Sequence, residues 1–308
     1  MKLNILLCVV VIAMSGLAFA QSSDQDEGNV RGAFLTSRPK DKPPQNSTTP
    51  RSTRRRRPSG TSSGTSASAS ASATVKTTPS GTTTPAASDG KSNPGMKTGQ
   101  RLGLGLTLFT RDQNGLAVRV DPSHEFHKGD RVRVLLETNS DGYLYIFNTT
   151  DNGQPVMIYP SPELDEAGNF IQSHVPFEIP SSAATEERLR WFTFDENAGT
   201  ERLYFVFTRE PLPGVPIEGD LIAYCRQSGR GCSWRPNPEL WVMLQKDMNA
   251  PVKTDKSQKY GRAQTVVEKD ATTRGIGLSQ QDPEPSVITM SVSSSGNTLV
   301  TSLDLVHK

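Results

Sequence analysis

The sequence predicts a mainly β protein: an antiparallel β-sandwich, immunoglobulin-like or jelly-roll-like, with a two-helix insertion and a disordered tail in front. Of the 20 Phe, Trp and Tyr residues in the 308-residue chain, 18 follow position 100. Only that part therefore has enough apolar surface for a large core. From residue 102 onward, short runs of alternating polarity are separated by turn residues, which is typical of half-buried antiparallel strands.

The first twenty residues have the pattern of a secretory signal peptide. Lys2 precedes an apolar run that starts at Ile5, and Ala18-Phe19-Ala20 offers a small-residue cleavage site before Gln21. The alternative is an uncleaved N-terminal anchor. We expect cleavage after Ala20 and an exported protein, periplasmic or extracellular, with no transmembrane segment left in the mature chain.

Residues 21–100 are predicted to form a disordered basic tail. They carry 12 basic and 5 acidic side chains and are rich in Ser, Thr, Pro and Gly. Such a segment cannot bury enough apolar surface to offset its chain entropy. Its densest charge is a run of four arginines that could contact an anionic lipid or envelope polymer weakly, or could simply keep a linker solvated. The run consists of Arg54, Arg55, Arg56 and Arg57.

Residues 101–308 are predicted to form the sandwich domain. The strand-like runs in its first half suggest a meander of three consecutive strands, and the last two runs suggest a hairpin around Ser295-Gly296-Asn297. The predicted meander comprises residues 132–136, 143–148 and 156–159; further runs are 102–109, 117–120, 189–194 and 203–208; the hairpin comprises 287–292 and 299–306.

A helical insert is predicted at about residues 216–248. Apolar residues recur at helical spacing over 217–227, and Asn237 followed by Pro238 is a typical start for a second helix. Cys225 and Cys232 lie seven positions apart in a chain bound for an oxidising compartment. We expect them to form a disulfide; a metal site is less favoured because no His lies near them in sequence.

The sequence contains no convincing catalytic, cofactor or metal site. His124 and His127 lack a third ligand near them, and they are interpreted as loop residues. Acidic loop residues could bind calcium, or could act as acid and base in the hydrolysis of a polymer, but their spacing matches no dedicated calcium loop. These residues are Glu163, Asp165, Glu166, Glu186, Glu187, Asp195 and Glu196.

The sandwich domain contains an ordered series of short motifs: Phe126-His127-Lys128-Gly129-Asp130, Asn139-Ser140-Asp141-Gly142-Tyr143-Leu144-Tyr145, Asp151-Asn152-Gly153, Tyr159-Pro160, Glu178-Ile179-Pro180 and Gly199-Thr200-Glu201. This series resembles the bacterial family called domain of unknown function 4384. The resemblance covers about residues 102–210 and, more loosely, Thr273 to the C-terminus. It implies an exported β-rich module, found alone or joined to peptidase, kinase or envelope-anchoring partners, with no established reaction and no catalytic residues to transfer.

These patterns together favour a non-enzymatic, exported interaction module of the cell envelope. Its partner would be a protein or an envelope polymer, and no feature favours specific nucleic-acid binding. The alternative from another class is a carboxylate-dependent hydrolase that acts on an envelope or extracellular polymer. A hydrolase requires a cleft with two close carboxyl groups, whereas an interaction module requires an exposed groove or sheet face.

Overall fold

The computed structural model describes residues 29–41, 99–164, 168–228 and 232–308. Two β-sheets face each other, and helices pack on the outer face of each sheet. The predicted antiparallel β-sandwich is confirmed. The predicted signal peptide and most of the predicted tail, including the run Arg54 to Arg57, lie outside the described residues.

The described residues contain thirteen strands and four α-helices, besides two short 3-10 helices at Pro162–Leu164 and Glu187–Arg190. The helices are α1 (Val30–Thr36), α2 (Glu218–Ser228), α3 (Pro238–Met248) and α4 (Val266–Arg274). The strands are β1 (Gly103–Arg111), β2 (Ala117–Arg119), β3 (Glu125–Phe126), β4 (Arg131–Thr138), β5 (Gly142–Thr150), β6 (Val156–Tyr159), β7 (Phe170–Ile171), β8 (Phe177–Ile179), β9 (Phe192–Thr193), β10 (Gly199–Thr208), β11 (Val252–Lys256), β12 (Val287–Ser291) and β13 (Thr298–His307).

The strands form two sheets of seven and six strands. Sheet A has the order β11-β12-β1-β4-β8, with β2 also paired to β1 and β9 also paired to β4. Sheet B has the order β3-β13-β10-β5-β6, with β7 also paired to β5. The pairing of β3 with β13 is parallel, and the other pairings between these strands are antiparallel. The long strands β1 and β10 are each paired on both sides, so they form the centres of the two sheets.

The main core lies between the sheets. Alternate residues of each strand point inward, as period-two alternation requires. On β1 the inward side chains are Leu104, Leu106 and Leu108, and they pack with Phe205 and Phe207 of β10. The opposite faces are also largely covered, so β1 and β4 are buried on both sides along most of their length.

Two strand connections differ from the sequence-based expectations. The expected hairpin of 287–292 and 299–306 is not formed, because β12 lies in sheet A and β13 lies in sheet B. The expected three-strand meander is also wrong at its first step, since β4 belongs to sheet A and pairs with β1 rather than with β5. Alternation shows which residues share a face, but it does not show whether a turn returns the chain to the same sheet or crosses to the facing one.

The helical insert is confirmed. Helices α2 and α3 pack on the outer face of sheet B, where Leu221, Leu240 and Leu244 bury their side chains. Helix α3 begins as predicted, because the side chain of Asn237 accepts a hydrogen bond of 2.8 Å from the backbone of Leu240. Strand β11 and helix α4 were not predicted, and residues 187–190 form a 3-10 helix where an extended run was expected. No helix within the described ranges is both long and apolar enough to cross a membrane.

Residues 29–41 correct the expectation that all of residues 21–100 are disordered. Helix α1 packs against sheet A, and Phe34 and Arg38 are buried there. Composition averaged over 80 residues hides this short segment. Phe34 is one of only two aromatic residues in the first 100 positions, and it supplies the apolar surface that docks the segment.

Candidate functional site

The outer face of sheet A carries a groove that is filled by residues 29–41. Gly103 and Gly105 form its floor on β1. A Cβ atom at Gly103 would lie 2.9 Å from Cδ2 of Phe34, and one at Gly105 would lie 3.2 Å from its Cζ. The two glycines therefore leave the space that the Phe34 ring occupies. We call this feature the sheet A groove; its walls are β4, β12 and the loop of residues 275–286.

The docked segment places its three anchoring side chains on one side. The side chain of Asn29 caps α1 by accepting a hydrogen bond of 2.7 Å from the backbone of Gly32. Ser37 keeps helical backbone angles at the other end, with φ −74° and ψ −18°. Arg31, Phe34 and Arg38 are three and four positions apart, so a helical path brings them to the same face.

Phe34 is the apolar anchor of the segment. Its side chain is fully buried and packs with Ile288 and Met290 of β12. Its ring also meets the ring of His174 edge-on, with 5.8 Å between the ring centroids. Burying a phenylalanine side chain in this way stabilises the docked state by about 2–3 kcal/mol.

Arg38 is the polar anchor, and all five N–H groups of its guanidinium have acceptors. Nε and Nη2 donate to the two carboxylate oxygens of Glu137, at 2.9 and 2.7 Å. Both side chains of this pair are completely excluded from solvent. The remaining donors reach the backbone carbonyls of Ser279, Asp282 and Pro283 at 3.0 to 3.1 Å. A guanidinium can donate five hydrogen bonds, so the groove satisfies it completely.

Glu137 is also bound by His174. Nδ1 of His174 lies 2.9 Å from Oε1 of Glu137, and it is the donor because an ionised carboxylate only accepts hydrogen bonds. His174 has a positive φ of 58°, and its backbone is held by Thr138 on one side and Leu278 on the other. This unusual backbone conformation directs the imidazole at the carboxylate that Arg38 uses.

Ser37, His174 and Glu137 follow one another in the order of a nucleophile, base and carboxylate. The serine Oγ lies 3.0 Å from Nε2 of the imidazole. However, the same Oγ lies 2.5 Å from the backbone carbonyl of Phe34, which is its closer acceptor. Glu137 is engaged by Arg38, which neutralises the charge that would stabilise an imidazolium. These contacts favour a structural role for the three residues in docking the segment.

The rim of the groove is acidic and holds the rest of the segment. Arg31 donates to Asp255 at 2.6 Å and to Glu284 at 3.1 Å, and its side chain is only 17% exposed. Gln280 binds the backbone by donating to the carbonyls of Thr36 and Arg38. The groove thus combines an apolar floor, one buried carboxylate and an acidic rim against a segment with two basic anchors.

Further charged pairs are buried elsewhere on the outer face of sheet A. Arg119 is paired with Glu268 of α4, whose capping box with Thr265 starts that helix. Arg133 lies 3.5 Å from Glu178 and its guanidinium stacks on Trp191, 4.2 Å from the ring centroid. Burial lowers the pKa of Arg133, and the neighbouring carboxylate opposes that effect. This sheet face is therefore charged and covered, which is uncommon for a sandwich.

The predicted disulfide between Cys225 and Cys232 is confirmed, with their Cα atoms 4.6 Å apart. It lies in the insert on sheet B, on the opposite side of the sandwich from the sheet A groove. Both half-cystines pack against the same apolar cluster as Trp234 and Trp241, and the backbone of Cys232 donates a hydrogen bond of 2.7 Å to Glu163. The disulfide therefore belongs to the structure of the insert.

The acidic residues considered for calcium or hydrolysis have separate partners. Glu163 accepts from the backbone of Cys232, Glu187 pairs with Arg111, and Glu196 pairs with Lys128. Glu186 pairs with Arg188, and hydrogen bonds from Asn197 lower the pKa of Asp195. Asp165 and Glu166 lie outside the described residues.

The two histidines considered for metal binding lie near the turn at residues 127–130. The ring of His124 packs edge-on against Phe126, and Nδ1 of His127 lies 3.9 Å from Asp130. Within the described ranges, no group of three or more His, Cys, Asp or Glu side chains is arranged to hold a metal ion.

Sequence reasoning missed the residues of the sheet A groove. Glu137 lies at an outward position of β4, which normally indicates a side chain in water. Phe34 was the available signal, because it lies between Arg31 and Arg38 in a tail that otherwise lacks aromatic residues. The sequence could not show that Arg38 and Glu137, which are 99 positions apart, are in contact.

Residues 125–211 match the model of the family described as Domain of unknown function (DUF4384). Over these residues the match confirms the resemblance to that family. The DUF4384 match includes Glu137 and His174, but residues 102–124 and 273–308, which the resemblance was also expected to cover, lie outside it. The DUF4384 segment thus supplies one wall of the groove, whereas the docked segment, β1 and β12 lie outside the match. The chain has no match among curated proteins or solved structures.

Proposed function

We propose that the chain is a non-enzymatic interaction module whose sheet A groove binds a short helical segment. The segment would carry two arginines and a phenylalanine at the spacing of Arg31, Phe34 and Arg38. The observation that carries the proposal is the complete satisfaction of the Arg38 guanidinium, at a site from which water is excluded. Helix-in-groove recognition uses anchors at this kind of spacing.

The polar contacts give the groove its selectivity. An arginine that donates to both oxygens of a buried carboxylate has a fixed geometry that lysine cannot reproduce. A segment without this arginine would leave Glu137 buried and without its cation, which is costly. The acidic rim at Asp255 and Glu284 favours the approach of a basic segment. Apolar helices that lack the arginines should therefore bind poorly.

The test uses a full-length variant in which Phe34→Ala and Arg38→Ala disable the chain's own segment. A synthetic peptide of residues 29–41 is titrated into this variant and binding is followed by calorimetry. We expect saturable one-to-one binding, and a peptide with Arg38→Ala should bind at least about tenfold more weakly. A Lys40→Ala peptide is the matched control, because Lys40 is exposed and its charge contacts no wall of the groove. Equal affinity for the three peptides would reject the proposal.

Export to an oxidising compartment is a second part of the proposal. It is supported by the signal-like pattern of residues 1–20 and by the Cys225–Cys232 disulfide, which is the kind of bond that persists outside the cytosol. N-terminal sequencing of the protein recovered from its native host tests this part. A mature chain that starts at Gln21 supports it, and a cytosolic chain that keeps Met1 contradicts it.

A further inference from the structure

We propose that two copies of the chain exchange residues 29–41, so that the segment of each copy fills the sheet A groove of the other. This inference rests on the proposed function, because it requires that the groove bind the segment as a ligand. It adds the identity of one partner, which is a second copy of the same chain. The described contacts provide three reasons.

The first reason is that the docked segment is separated from the sandwich by a long stretch of sequence. Residues 42–98 connect Asp41 to Gly99, and a fully extended chain of that length reaches roughly 190 Å. A domain of this size is only about 45 Å across. The chain is therefore long enough to deliver the segment to the groove of a neighbouring molecule.

The second reason is that every anchoring contact is made with residues beyond this stretch. Arg38 binds Glu137 and three carbonyls of the loop 275–286, Phe34 packs on β12, and Arg31 binds Asp255 and Glu284. A segment from a second copy presents the same side chains to the same groove. Exchange thus preserves each of these contacts, as in the swapping of an identical element between protomers.

The third reason is that the preference for a chain's own segment over the segment of a second copy is limited. A 57-residue connection treated as a random coil gives an effective concentration of the segment at its own groove on the order of 1 mM. Exchange becomes comparable with internal docking when the chain concentration approaches this value. Two exchanged segments also close a symmetric dimer in which both grooves are filled, so the assembly ends at two copies.

The experiment uses two full-length variants with complementary defects. The segment variant carries Phe34→Ala and Arg38→Ala and keeps an intact groove. The groove variant carries Gly103→Ala, whose Cβ would lie 2.9 Å from Phe34, and Glu137→Gln, which removes the charge that Arg38 needs. Only a mixture of the two contains an intact segment and an intact groove, and these are on different chains.

We expect each variant to be monomeric alone and the equimolar mixture to contain a one-to-one heterodimer in native mass spectrometry. A chain with all four substitutions, mixed with either variant, is the control and should lose the heterodimer. Circular dichroism melting shows whether the groove variant is folded; if it is not, Glu137→Gln alone replaces it. A mixture that stays monomeric overturns the exchange.

The titration with the 29–41 peptide separates this failure from a failure of the proposed function. If the segment variant binds the peptide but forms no heterodimer, the groove is a docking site and exchange does not occur. If it binds neither, both the docking function and the exchange are rejected. Wild-type chains with two isotope labels, mixed at high concentration and then analysed, should give mixed-label dimers without any substitution.

Discussion

Arg38 and Glu137, 99 positions apart in sequence, form a two-pronged ion pair from which solvent is completely excluded. A buried ion pair of this kind contributes little net stability, because desolvation of the two charges offsets most of their attraction. It does impose a strict requirement on what occupies the groove. The pair therefore fixes the position and identity of the docked segment more than it stabilises the sandwich.

Substitution Arg38→Ala should release residues 29–41 while leaving the sandwich folded. Once the segment leaves the groove, water reaches Glu137. The loss of stability is therefore limited to the free energy of docking. We expect hydrogen exchange in α1 to rise to the level of an unprotected peptide, with little change in the melting temperature. Lys40→Ala is the control and should leave the protection of α1 unchanged. Retained protection in the Arg38→Ala variant would contradict the role assigned to the ion pair.

Substitution Gly105→Ala should weaken docking through steric conflict. The new Cβ would lie 2.5 Å from Cγ of Pro285 and 3.2 Å from the Phe34 ring, so the groove must shift to accept it. Because the overlap with Pro285 also disturbs the sandwich itself, we expect a loss of about 1–3 kcal/mol of unfolding free energy in chemical denaturation. Gly219→Ala is the matched control, because its Cβ would meet no atom within 4 Å beyond its chain neighbours and its own helix backbone, and alanine favours the helix. Equal stability of the two variants would show that Gly105 is not needed.

Deletion of residues 286–308 should abolish cooperative unfolding. Strand β13 pairs with β10 along ten residues and buries Leu299, Leu303 and Leu305 in the main core. The deletion also removes β12 from sheet A, so the central strand of each sheet loses one of its paired neighbours. Differential scanning calorimetry should show no sharp transition. Deletion of residues 21–41 is the control, and that chain should still melt cooperatively.

Replacement of Cys225 and Cys232 by serine should loosen the helical insert. The lost loop closure is worth about 2.5 kcal/mol for a separation of this length. Because the disulfide and the side chains of Trp234 and Trp241 pack against the same apolar cluster, we expect faster proteolysis of α2 and a change in tryptophan fluorescence. The sheet A groove should be unaffected, so binding of the 29–41 peptide serves as the control. Stoichiometric thiol labelling of the untreated wild type would contradict the disulfide itself.

The exposed pair of Arg202 and Asp304 should give a small, pH-dependent contribution to stability. Hydrogen bonds from Arg202 lower the pKa of Asp304 from its ordinary value of 3.8. A folded-state pKa below the unfolded one means that the contribution is present above pH 3.8 and is lost as the pH falls below it. Both side chains are over a third exposed, so Asp304→Asn should cost no more than about 1 kcal/mol at pH 7. An equal cost at pH 2 and pH 7 would contradict this origin.

The strands and the insert could be predicted because their signals are local. Alternation identified β4, β5 and β10, and Asn237 with Pro238 identified the start of α3. The sheet to which each strand belongs could not be predicted in this way. A turn of a few residues can place the next strand in the same sheet or in the facing sheet. Long-range packing decides that choice, as the separation of β12 from β13 illustrates.

The groove could not be predicted for a related reason. The outward position of Glu137 is typical of a solvated strand residue, and the composition around Phe34 is typical of a disordered tail. Each reading was reasonable for its own segment. The two segments exclude water from each other only when they meet, and single-sequence patterns carry no information about such distant pairs.

The positions of β12 and β13 have a consequence for the order in which the chain can fold during synthesis. Each is a direct neighbour of the central strand of its sheet, and both follow the other described strands in sequence, at Val287–Ser291 and Thr298–His307. While the nascent chain lengthens, β1 and β10 therefore each have one edge without a partner. The domain cannot close before β12 and β13 have been synthesised, and the polypeptide that precedes them remains open to chaperones until these two strands arrive.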